Sequence, residues 1–150
     1  MAVPSFPRGI LKLRTEVITK CNNGHHDQVQ HEGDTLRHSL TKLFLAEWYV
    51  EQIHQYCDQQ YPEKAYQMLT SLLEQTFQQV RSNPNDYWRI IHCGASWLLC
   101  LFLWKRGDVT HARYMYALTN YITSGETKSA VHAVMEDLSR KMMDLFPDIK

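Results

Sequence analysis

Glycine and proline are scarce in this 150-residue chain, at 6 and 5, which argues against a turn-rich β-sandwich and against a low-complexity tail. Cysteine is limited to Cys21, Cys57, Cys93 and Cys100. Residues 1–8 contain prolines and no apolar run of seven, so they do not read as a secretory leader. Reduced thiols and a cytoplasmic and/or nuclear location are therefore expected instead of a disulfide framework. Long hydrophobic runs are missing as well. The longest, residues 97–104, is eight residues, far short of the roughly 20 that cross a bilayer, so no membrane partner is expected. Nor is there an excess of one charge: sixteen basic residues balance sixteen acidic ones, unlike the strongly basic footprint of a dedicated nucleic-acid binder.

What is present is a globular composition, 44% hydrophobic and 11% aromatic, in a length that suits one domain over residues 1–150. A chain of this size buries roughly two thirds of its unfolded surface in one core. The charges are unevenly spread. Residues 1–20 carry Arg8, Lys12, Arg14 and Lys20 against Glu16, whereas residues 21–80 carry eight acids against Arg37, Lys42 and Lys64. The same middle stretch holds five of the eight histidines, so its net charge changes most between neutral and mildly acidic pH.

Apolar periodicity points to an all-α bundle of five to six helices around a central apolar helix at about 86–107. Ile10, Leu11, Leu13, Val17 and Ile18 fit a helix face or a short strand, and a helix is expected. A polar, His-rich loop follows at about 21–34. Asp34 is the expected N-cap of a long helix carrying Leu36, Leu40, Leu43, Val50 and Cys57. Pro62 suits the first turn of the next helix, whose Ala65, Leu69, Leu72, Leu73, Phe77 and Val80 form a clean stripe. Asp86 is the expected cap of the central helix, which is apolar on nearly every side and so belongs in the interior. Gly107 is suited to a left-handed stop and Asp108 to a cap. In the fourth helix Ala112, Met115, Leu118 and Ile122 are the expected inner stripe. One last helix carries Val131, Val134, Met135, Leu138, Met142 and Leu145 before Pro147.

Two local resemblances arise. Trp97-x6-Trp104-x2-Gly107-Asp108-x3-Ala112-x3-Tyr116 resembles the hinge of a tetratricopeptide helical hairpin, although no second copy follows at that family's 34-residue period. The Asn85-Asp86-Tyr87-Trp88-Arg89 start of the central helix resembles the element preceding the buried helix of the Bcl-type apoptosis regulators. That resemblance implies a groove for an amphipathic helix, with Arg89 available to a partner's acid. Here Trp88 and Arg89 are adjacent, with no glycine between them.

The residues that could carry chemistry are few. Cys21-x3-His25 and His54-x2-Cys57 together offer a Cys2His2 set for Zn2+, which would order the polar loop in place of an apolar core; solvated histidines and a buried Cys57 are the plainer alternative. Cys93 follows His92, but adjacent helix residues diverge by about 100°, so they form no dyad. Ser96 lacks the Gly-x-Ser-x-Gly elbow, and phosphate loops and His-Glu-x-x-His are absent. No enzyme is expected. For nucleic acid, Arg8, Lys12, Arg14 and Lys20 with Lys105, Arg106 and Arg113 are the candidate contacts. The best fit is a non-enzymatic adaptor or regulatory protein, of the kind a virus uses as an accessory protein, binding protein partners and capable of homo-oligomerisation. Phe44, Trp48, Tyr49, Tyr114 and Tyr121 exceed what one core stripe needs and are the expected interface anchors.

Overall fold

A computed structural model describes residues 8–53, 60–83 and 85–149. These residues form seven α-helices and no strand: α1 (Arg8–Asn22), α2 (Leu36–Gln52), α3 (Gln60–Ser82), α4 (Tyr87–Lys105), α5 (Val109–Ile122), α6 (Gly125–Val134) and α7 (Glu136–Leu145). A single 3-10 turn, His26–Gln28, interrupts the loop between α1 and α2. Among these residues no helix is long and apolar enough to cross a membrane.

The central helix is where its composition puts it. From Trp88 to Phe102 only Arg89 and His92 escape full burial, and α4 packs against α2, α3, α5, α6 and α7. The close approach of α4 to the C-terminal helices depends on Gly94, where a Cβ would lie 3.2 Å from Met135 Sδ. Gly107 adopts φ +88°, the left-handed stop that a residue with a Cβ resists, and Asp108 accepts a bond from the His111 N–H. The hairpin α4–turn–α5 is thus built by local rules, with Ala112 and Tyr116 buried on its inner side.

Four local expectations are corrected. Cys21 is in the last turn of α1, not in the loop. Asp34 does not cap α2; Thr35 does, accepting from the His38 N–H at 3.1 Å. Asp86 makes no side-chain cap and pairs with Arg89, while Asn85 Oδ1 accepts from the Tyr87 N–H. The single last helix is two, broken at Met135 (φ −126°, ψ 59°). At the break the Met135 side chain, 1% exposed, packs against α4 beside Gly94.

Candidate binding surface

The expected anchors separate into two groups. Phe44, Trp48 and Tyr49 are not surface residues: they are buried, Trp48 retaining 7% exposure. The correction has a specific cause. The His26–Gln28 turn folds back so that His26 stacks on Trp48 at 5.0 Å and meets the rings of Tyr49 and Tyr61 edge-on. Trp48 Nε1 donates to Asn22 Oδ1 at 3.0 Å, and His26 Nδ1 lies 3.1 Å from the Tyr49 hydroxyl. Lys64 adds an ion pair to Asp27. Trp48 and Tyr49 of α2 are therefore covered by the polar loop together with Tyr61 of α3, and in turn hold that loop in order.

The loop is also where the expected Zn2+ ligands begin. Of the expected Zn2+ ligands, His25 is exposed and Cys21 is buried, its thiol pushed up to about 11 by desolvation. His54 and Cys57 lie outside the described residues. Among the described residues no group of three or more His, Cys, Asp or Glu side chains could hold a metal ion. Cys93 and Cys100 are buried in α4, and desolvation pushes each thiol up to about 12, which keeps both protonated and non-nucleophilic near neutral pH.

The seven candidate phosphate contacts do not form one free basic field. Arg14 grips the buried carboxylate of Glu47 with two bonds of 2.9 Å. Lys105 donates to the Val50 carbonyl at 2.9 Å, and burial lowers its pKa. Arg113 is paired with Asp148. Arg8, Lys12, Lys20 and Arg106 remain exposed.

Tyr114 and Tyr121, by contrast, are 64% and 88% exposed. The inner stripe of α5 is Ala112, Tyr116, Thr119 and Asn120, not the expected Ala112, Met115, Leu118 and Ile122. Tyr116 decides the phase by stacking on Phe146 at 5.1 Å while approaching Trp97. At 100° per residue, that stripe turns Tyr114, Leu118, Tyr121 and Ile122 to the opposite side, and all four are exposed. Sequence periodicity alone missed Leu118 and Ile122, because an apolar residue at helical spacing reads as core.

Ile122 also forms the edge of a groove of about 650 Å3 between α3, α4 and α6, with Phe77, Val80, Ile90 and Ala130 as apolar walls. Phe77 is exposed, and Arg81 lies over its ring. Arg89 and His92 line the same groove. Thr76 Oγ1 donates to the Leu73 carbonyl and lies 2.7 Å from His92 Nδ1. Burial lowers the His92 pKa, so the ring is neutral near pH 7. No family model, curated protein or solved structure matches the chain.

Proposed function

We propose that this chain is a non-enzymatic helical binding module that acts through protein–protein contacts, its docking surface being the outer face of α5 and the adjoining groove. The observation that carries this reading is the second apolar face of α5. A helix needs one stripe about 100° wide to reach its core; α5 has that stripe and a second one opposite it, ending at Ile122 in a groove. The groove suits a partner's amphipathic helix: apolar walls for one stripe, with Arg81, Arg89 and His92 for its polar flank.

The test is selection of helical peptides on the full chain, with counter-selection on Phe77→Glu and Ile122→Glu. Peptides with apolar residues at i, i+3/i+4 and i+7 that bind the parent and lose at least about tenfold on both variants support the reading, since truncated hot spots cost that much or more. Failure to enrich any peptide above the counter-selected background overturns it.

A second reading, regulation of apoptosis by a Bcl-like groove, is favoured by one observation: Arg89, directly after Trp88 at the head of the buried helix, lines the groove. It expects an Asp or Glu in the selected peptides whose replacement by Ala weakens binding, and a partial rescue when Arg89→Glu is paired with a basic residue at that place. A set of bound peptides without an acid rejects it in favour of the general module.

A further inference from the structure

Nine large hydrophobic side chains are exposed among the described residues, and five of them belong to the 14-residue helix α5: Val109, Tyr114, Leu118, Tyr121 and Ile122. At about 100° per residue, Tyr114, Leu118 and Tyr121 fall within about 60° of one another, on the side opposite the buried Ala112, Tyr116 and Thr119. Their spacing, i, i+4 and i+7, is that of a seam between two helices.

Three properties of this face bear on what covers it. The first is charge. Arg113 is the only Lys, Arg, Asp or Glu from residue 109 to residue 125; it lies on the flank of the seam and is paired with Asp148 of the same chain, while His111 on the other flank lies 3.5 Å from Asp108. A strongly charged partner finds nothing here to grip, whereas a second copy brings the same uncharged face and sets no like charges together. The second is symmetry. Tyr114 and Tyr121 are equidistant from the midpoint between Ala117 and Leu118, so a copy running antiparallel about a two-fold axis at that point sets each Tyr114 against Tyr121 of the other copy. Ala117 is small and lets the two helices approach at the axis. The third is area. A tyrosine side chain carries about 150–250 Å2, so at 64% and 88% exposure the two rings offer roughly 300 Å2. Leu118, Ala117 and the flanking Thr110 and His111 bring the face to on the order of 500 Å2 per copy, or about 1,000 Å2 for a pair, the lower bound of a specific interface and the range of weak, reversible association.

We infer that the outer face of α5 is the seam of a homodimer, in which two copies pair antiparallel about a two-fold axis at Ala117 and Leu118. This rests on the reading above that the face is a docking surface, and it names the occupant; the groove beyond Ile122 is left to a partner's helix. The pairing is isologous, so it closes at two copies and leaves no seam to recruit a third.

The test is sedimentation equilibrium of the full chain near pH 7 from about 1 μM to 1 mM, the range of weak interfaces. The expected result is a reversible monomer–dimer equilibrium with no larger species. Leu118→Glu sets two carboxylates beside the axis and is expected to raise the dissociation constant at least about tenfold, with the fold kept because the side chain is exposed in the monomer; a dimer indifferent to it overturns the seam. Orientation is read from two double variants that remove the same rings. In Tyr114→Lys/Tyr121→Glu the introduced charges are opposite in sign across an antiparallel pair, and in Tyr114→Glu/Tyr121→Glu they are alike. The first is expected to dimerise at least about tenfold more tightly than the second, a gap that narrows with added salt. A first variant no tighter than the second overturns the proposal, since parallel helices set like against like in both. A wild-type chain that stays a monomer throughout, or one that grows into open-ended oligomers, overturns it as well. The groove fails or stands separately: a monomer that binds helical peptides sinks the homodimer alone, and a dimer that selects no peptide sinks the groove alone.

Discussion

Replacing Arg14 with methionine removes the only side chain that the Glu47 carboxylate hydrogen-bonds among the described residues. Glu47 is 4% exposed on α2, and both of its oxygens accept from the Arg14 guanidinium of α1 at 2.9 Å. Burial pushes the Glu47 carboxyl up, Arg14 pulls it down, and the nearby charges of Glu51 and Asp137 push it up further. Methionine keeps the length and apolar stem of Arg14 but leaves a buried carboxylate unpaired, a change that costs about 3–5 kcal/mol. At roughly 3 °C per kcal/mol for a chain of this size, the melting temperature falls on the order of 10 °C. Without Arg14 the folded-state pKa of Glu47 climbs further above its unfolded value of about 4.3. An acid with a raised folded pKa penalises the fold above that pKa and costs nothing below the unfolded one. The deficit is therefore largest near pH 7 and shrinks as pH falls toward 4. Urea unfolding of wild type and Arg14→Met at both pH values measures it. The double variant Arg14→Met/Glu47→Leu is expected to recover most of the loss, since an apolar pair of similar volume replaces a buried ion pair without penalty. A loss below about 1 kcal/mol at pH 7, or a double variant no more stable than the single one, refutes this account of the α1–α2 contact.

Leu101→Ala on α4, where the parent side chain is 3% exposed, should cost about 2–5 kcal/mol through lost burial and a residual cavity, read from the midpoint of chemical unfolding. Trp48→Ala is expected to be a folding defect of about 3–5 kcal/mol that also releases the His26 turn, visible as faster amide exchange over residues 22–29, and not a selective loss of association. Because aromatic packing holds that turn, chelator treatment should leave its exchange protection unchanged; release of about one zinc per chain, measured by elemental analysis, together with loss of protection would instead support the Cys2His2 assignment.

The local rules of the chain determined a great deal by themselves. The all-α class, the interior position of α4, the stop at Gly107 and the cap at Asp108 follow from apolar period, backbone freedom and side-chain donors within a few residues, and each is present in the structure. The cap of α2 fell one residue later than expected, at Thr35, and Asp86 holds the N-cap position of α4 without a side-chain cap bond. Surplus apolar surface was legible too, on both α2 and α5. Which surplus stays open was not, because exposure belongs to what a helix faces and not to the helix. On α2 a loop distant from Trp48 in sequence folded over it with a histidine ring. On α5 the stacking of Tyr116 on Phe146 set the rotation of the helix, and that rotation carried Leu118 and Ile122 out beside Tyr114 and Tyr121.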